Sequence, residues 1–171
     1  MRKKTFIDID AFVKECVEEL KAIGIRPSDN LYVYTVSMKG IPALGSCQKF
    51  ENEYVLKFEK NAFTDKSNTK ILKALVCHEL LHATKGCEGH TKKFLKLSKK
   101  VQDAYGYEMF LAPTFRDVYT DENEVIGYYI CPVCGRYSRI YKTDDHENKI
   151  GICVDHGVQT KKVLIQELNN A

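Results

Sequence analysis

Residues 71–94 read Ile71-Leu72-Lys73-Ala74-Leu75-Val76-Cys77-His78-Glu79-Leu80-Leu81-His82-Ala83-Thr84-Lys85-Gly86-Cys87-Glu88-Gly89-His90-Thr91-Lys92-Lys93-Phe94. Apolar side chains recur at Ile71, Leu72, Leu75, Val76 and Leu80, the period of a helix packed on a core. Ser67-Asn68-Thr69 offers caps for its start, and Lys85-Gly86 ends it. Inside this helix stand His78, Glu79 and His82. Histidines four apart project from one face, so both imidazoles reach a single ion. Glu79 lies one residue round, within reach of a water on that ion without being a ligand. Zinc hydrolysis needs this division of labour: the metal lowers the pKa of its water towards about 7, and a carboxylate takes the proton and returns it to the leaving amine.

Catalytic zinc sites use three protein ligands and keep one position open. His90 is the expected third. A second helix is expected to begin after Gly89, near His90 or Thr91, with the buried stripe Phe94, Leu97, Val101 and Ala104, and by helical steps His90 counts onto that same side. Gly86 and Gly89 let the chain turn between the helices, and Gly106 stops the second one. Three of the five histidines fall between residues 78 and 90, which argues against a chance pattern. Cys77 and Cys87 flank the ligands. Each is either a fourth ligand, which would silence the water, or a buried or loop thiol. Tyr105 and Tyr107 either donate to an oxyanion or simply pack.

A second constellation lies downstream. Cys131-Pro132-Val133-Cys134-Gly135 is a C-x-x-C knuckle, and Cys153-Val154-Asp155-His156-Gly157 repeats the spacing after eighteen intervening residues. Two ligand pairs joined by a hairpin describe a zinc ribbon, here with three Cys and one His. Gly135 and Gly157 suit the tight turn of each knuckle. Four protein ligands leave no room for water, so this site is structural, and a module of this size leans on its metal. His146 is off-pattern and is assigned to the hairpin's polar tip. Tyr128, Tyr129, Tyr137 and Tyr141 are either sheet residues or stacking surfaces for bases.

The first half of the chain reads as one helix and three short strands. Phe12, Val13, Cys16, Val17, Leu20 and Ile23 form a helical stripe, with Asp8 or Asp10 as cap and Gly24 as stop. Residues 31–38, 46–50 and 54–58 are strand-like, with breaks at Gly40, Pro42 and Gly45 and a turn at Glu51-Asn52-Glu53. Residues 111–124, with Pro113 and the acidic run Asp121-Glu122-Asn123-Glu124, read as a connection. The domain boundary is therefore expected at residue 125, with a catalytic domain over 1–124 and the ribbon over 125–171.

His78-Glu79-Leu80-Leu81-His82-Ala83, then Gly86-Cys87-Glu88-Gly89-His90 and Phe94, resembles the SprT-like (Spartan-related) zinc metallopeptidase family. Ala43-Leu44-Gly45-Ser46-Cys47 is similar to the family's Leu-Gly-x-Cys strand. The order helix, small sheet, two zinc-bearing helices and C-terminal ribbon is also the family's, and the resemblance covers most of the chain. It implies an α+β fold with a zincin-like core and a small β zinc ribbon. It further implies that His78, His82 and His90 ligate zinc and that Glu79 is the catalytic acid/base. The family includes a DNA-dependent protease that removes proteins crosslinked to DNA.

Composition narrows the field. The chain has 171 residues, 44% hydrophobic and 29% charged, with 26 basic against 23 acidic side chains and a net charge of +3. These proportions exclude collagen, coiled coil and wholesale disorder. No apolar run approaches the roughly 18 residues of a membrane span. The start, Met1-Arg2-Lys3-Lys4-Thr5-Phe6-Ile7-Asp8, is basic but interrupted by Asp8 and Asp10, so no signal peptide is expected. Seven cysteines without such a signal point to a reducing, cytoplasmic setting where clustered thiols bind metal. Lys92, Lys93, Lys96, Lys99 and Lys100 line the second helix opposite its stripe, either as a solvated face or as a phosphate-binding face for DNA. The expected function is a zinc-dependent endopeptidase acting on protein or peptide substrates, with one catalytic and one structural zinc. The alternative is a non-catalytic zinc-dependent nucleic-acid or protein-binding module.

Overall fold

Three helices of fourteen residues each start at a side chain that caps them: α1 (Ile9–Ala22), α2 (Thr69–His82) and α3 (Lys92–Tyr105). Asp8 Oδ1 accepts from the amides of Asp10 and Ala11 at 3.1 and 3.2 Å. Asn68 Oδ1 accepts from Lys70 and Ile71 at 3.0 and 3.3 Å. Thr91 Oγ1 accepts from Phe94 at 3.2 Å. Each cap contributes about 1 kcal/mol and fixes where the helix begins. Gly106, with φ +68°, closes α3 in the left-handed region that glycine tolerates.

The computed structural model describes residues 5–38, 43–120, 122–144, 149–153 and 155–168. Met1 to Lys4, Gly40, Pro42, Asp121, His146 and Val154, each read above from sequence, lie outside the described residues. The architecture is α+β. Two units are distinguished: Met1–Met109 with Pro113–Tyr119, and Phe110–Ala112 with Thr120–Ala171. The division therefore falls after Tyr119.

In the first unit, β1 (Leu31–Val36), β2 (Gly45–Phe50) and β3 (Glu53–Glu59) form a sheet in the order β1-β3-β2. β1 runs parallel to β3 and β2 antiparallel to it. A tight turn at Glu51 and Asn52, with Glu51 at φ +52°, makes the β2–β3 hairpin. Leu56 and Phe58 of β3 are fully buried. Their register partners Cys47 and Gly45 stand on the same face of the sheet.

α2 is the central helix. Ten of its residues are buried, and it packs on α1, β2, α3 and the short α4 (Phe115–Tyr119). A helix covered this completely should be apolar all round. Among its buried residues His78 and Glu79, at 9% and 7% exposure, are the departures from that rule. On α3 the buried residues are Phe94, Ser98 and Val101. Ala104, placed in the stripe from sequence, is exposed instead, and with Leu97 it lines a groove among the lysines. Steps of four, three and four from Phe94 reach Ser98, Val101 and Tyr105, so the small polar Ser98 hid the true centre of the face.

Residues 111–124 are more than a connection. They carry α4 of the first unit, and Leu111, itself part of the second unit, makes a bridge to Tyr137 within that unit. That unit holds β4 (Val125–Ile130), β5 (Tyr137–Tyr141) and β6 (Lys161–Leu164), ordered β5-β4-β6 and antiparallel throughout, and then α5 (Ile165–Leu168). Among the described residues no helix is long and apolar enough to cross a membrane.

Candidate metal centres

The side chains of His78, His82 and His90 offer ring nitrogens that all lie within 4.8 Å of one another. His78 and His82 are one turn apart on α2, and His82 is its last residue. Of the two starts expected for the second helix, near His90 or Thr91, the structure has the later, and His90 lies just outside α3. It stands one residue before the cap, because Thr91 is extended (ψ 168°) and the helix starts only at Lys92. The loop still brings it in: Nε2 of His90 and Nε2 of His78 are 3.1 Å apart. For metal–nitrogen bonds of about 2.0–2.1 Å, two corners of a tetrahedron stand roughly 3.3–3.4 Å apart. The His78–His90 spacing is close to one edge of such a tetrahedron, and the three side chains together could hold one ion.

His82 Nδ1 lies 2.9 Å from the carbonyl oxygen of Cys87. A carbonyl can only accept, so Nδ1–H donates and the lone pair of His82 is left on Nε2. Such an outer hydrogen bond fixes the tautomer and the ring plane of a ligand. Cys87 is thus a loop residue whose backbone serves the site; its own thiol is buried and raised in pKa by that burial.

Glu79 leaves α2 about 100° round from His78. It points at β2, where a Cβ built on Gly45 would stand 3.2 Å from Glu79 Cγ, 3.1 Å from Leu75 Cδ1 and 3.2 Å from Phe58 Cδ1. Cys47 shares this strand face. Burial, and secondarily the charge of Glu79, push its thiol up to about 12, so it stays protonated near neutrality. Farther along, Lys49 reaches Glu88 of the ligand loop at 3.4 Å. Along the chain Gly45 and Cys47 stand out only as part of a strand signature. Their nearness to Glu79 depends on how β2 is laid on α2, which no local pattern encodes.

Cys77 does not join the histidines. Its thiol clusters with Cys16 and Glu19, whose ligand atoms also lie within 4.8 Å of one another. A cation already serves that cluster: Lys73 Nζ contacts Glu19 Oε1 and lies 2.6 Å from Glu15 Oε1. Burial opposes the Lys73 charge, but those carboxylates outweigh it and raise its pKa. Tyr107 donates to Glu19 Oε2 at 2.9 Å and Tyr105 to the Glu19 carbonyl at 2.7 Å. Both hydroxyls are thus committed to this knot between α1 and α2, which answers the oxyanion question for them.

In the second unit, Cys131, Cys134, Cys153 and His156 converge with all ligand atoms within 4.8 Å. His156 Nδ1 is 3.8 Å from Cys131 Sγ and 3.5 Å from Cys153 Sγ. A tetrahedron with metal–sulfur bonds of about 2.3 Å needs S–N edges near 3.6 Å. The two knuckles are hydrogen-bonded alike. Gly135 N–H donates to Cys131 O at 2.9 Å and Gly157 N–H to Cys153 O at 2.8 Å. Cys131 N–H donates to Arg136 O at 2.8 Å and Cys153 N–H to Val158 O at 3.0 Å. Gly135 and Gly157 have φ +74° and +63°, the turn the repeat demands. Arg136 and Asp155 clamp the knuckles together at 2.6 Å. Burial pushes the Cys131 thiol up, but the amides of Cys134 and Val133 and the neighbouring thiols overcome this and bring it down to about 7. Burial lifts Cys134 to about 11. The ring of Tyr128 packs edge-on against Tyr137 at 5.4 Å, and Tyr141 is buried.

On α3, Lys93, Lys96, Lys99 and Lys100 line an open groove of about 740 Å³ with Leu97, Asp103 and Ala104. Lys99 pairs with Asp103 at 2.8 Å, and Lys93 donates to the Lys85 carbonyl. Lys92 is exposed beside them. No family model matches the chain, and a search of curated proteins finds no match.

Proposed function

We propose that this protein is a zinc-dependent endopeptidase with a zincin-like core and a structural zinc ribbon. The observation that carries the reading is Glu79 itself, a carboxylate 7% exposed beside two metal-facing histidines on a central helix. Burying a carboxylate costs several kcal/mol before its partners offset it. A module that only bound metal would gain nothing from that placement. Zinc held by His78, His82 and His90 would polarise a peptide carbonyl and lower the pKa of water to about 7. Glu79 accepts the proton at its carboxylate and delivers it to the departing amine nitrogen. Gly45 leaves room for the Glu79 stem and so aims the carboxylate. Among the described residues β2 is paired on one edge only, so an extended peptide can add along the other edge, beside Glu79.

Imidazole and thiolate donors both suit zinc. The Cys131, Cys134, Cys153 and His156 set is closed and holds its unit together. The resemblance to SprT-like metallopeptidases supports the same reading and suggests DNA as a partner. The groove lined by Lys93, Lys96, Lys99 and Lys100, with Lys92 beside it, is where phosphates would bind. That groove is also the observation favouring a second reading, a non-catalytic zinc-dependent nucleic-acid or protein-binding module. Seven thiols, free throughout, agree with an intracellular, reducing location.

Glu79→Gln separates the two readings. It keeps size and ligands but removes the base. Zinc content should stay at the wild-type level while cleavage of a protein substrate, assayed with and without single-stranded DNA, falls by about 10² to 10⁴. Equal cleavage by the variant removes Glu79 as the base. A wild-type protein that binds DNA and cleaves nothing is the binding module.

A further inference from the structure

Phe94 sits on α3, four residues after His90, and is 2% exposed. Its ring stacks on His82 with centroids 4.6 Å apart and planes 22° apart. It meets His78 edge-on at 4.9 Å and 72°, and His90 edge-on at 4.8 Å and 73°. One side chain therefore touches all three imidazoles. The imidazoles also touch one another, with centroids 5.0, 5.1 and 4.9 Å apart. Four rings form one packed set.

An imidazole turns broadly about its last torsion, since that torsion joins sp³ and sp² atoms. A ligand ring that must be ordered on binding costs affinity, and one already ordered does not. The Cys87 carbonyl settles the tautomer of His82. A flat ring lying on His82 and abutting the other two holds all three planes. We propose that Phe94 is a positioning residue for the metal ligands, keeping their nitrogens convergent before an ion arrives. This rests on the metal reading of His78, His82 and His90. An aliphatic residue of similar bulk fills the space without supplying a plane.

The competing role is plain core packing, and Val101 provides the control. It is fully buried on the same helix, two turns or about 10 Å farther along. The full chain is loaded with cadmium-113. Nitrogen-ligated and sulfur-rich cadmium resonate far apart, so the two centres are read separately. Phe94→Leu and Phe94→Met, of nearly equal volume but the latter more adaptable, are expected to broaden or shift the nitrogen-type resonance and leave the sulfur-rich one in place. Chelator competition should show the histidine centre weakened about tenfold to a hundredfold, the usual effect of losing an outer support of a ligand. Val101→Ala should lower the Tm and change neither readout. If the Phe94 variants lose only Tm, as Val101→Ala does, Phe94 is core and the proposal falls. If wild type shows the sulfur-rich resonance alone, the metal reading of the histidines fails and takes the proposal with it.

Discussion

Gly45 and Glu79 touch across the β2–α2 interface: a Cβ on Gly45 would lie 3.2 Å from Cγ of Glu79. Leu75 and Phe58 crowd the same point at 3.1 and 3.2 Å. Gly45→Ala should therefore push Glu79 away from the strand. The expected cost is about 1–3 kcal/mol of stability, as for overpacking elsewhere. Peptide cleavage should fall while zinc content stays normal, because no ligand is moved. Thermal unfolding and elemental analysis read on one preparation check both halves.

Metal content is the next measurable. Carefully purified protein should carry about two zinc per chain, one on each set of ligands. Cys134→Ser should leave about one zinc per chain and unfold the second unit, since a closed site's binding energy is folding energy. Amide hydrogen exchange should show protection lost there and kept in α2. A ratio that stays near one after zinc loading would remove one of the centres.

The lysine groove makes a claim about salt. Lys92, Lys96 and Lys100 replaced by Gln should weaken binding of single-stranded DNA and flatten its salt dependence, because a protein that neutralises fewer phosphates releases fewer counterions. Zinc content and cleavage of a short free peptide should not change. An unaltered salt slope returns these lysines to the role of a solvated helix face.

Cys47 predicts an alkaline limb. Its folded pKa is raised from 9.0 to about 12. The sign follows from proton counting: the unfolded chain loses this proton first, so the contribution is whole below pH 9 and is lost as pH rises towards 12. Cys47→Ala should flatten part of the decline in stability over that window. Denaturant midpoints measured from pH 8 upward check it. Iodoacetamide should also label Cys47 more slowly than a free thiol at pH 8.5, since the thiolate is the reactive form.

Much of the site was legible along the chain because its chemistry is local. Histidines one turn apart on a helix face the same way whatever surrounds them. The repeated C-x-x-C and C-x-x-H spacing implies two like turns, and the matched hydrogen bonds at Gly135 and Gly157 are those turns. Helix caps at Asp8 and Asn68 and the turn after Phe50 are equally local. His90 shows the limit. Helical counting puts it on the right side for a partly wrong reason, since the residue precedes the helix and reaches the site from a loop.

The sequence by itself determined which residues can bind metal, where the helices begin and that the chain is α+β, because capping, periodicity and ligand spacing act over a few residues. Only the tertiary structure decided which neighbours those residues meet. It set Gly45 under Glu79, gave the Cys87 carbonyl to His82, laid Phe94 against three imidazoles and drew Cys77 to Cys16 and Glu19 instead of the histidines. Those contacts join residues as far apart as Cys16 and Cys77, sixty-one positions along the chain. They are set by how α2 is buried among α1, β2 and α3, a property of the whole core that no stretch of the chain carries alone.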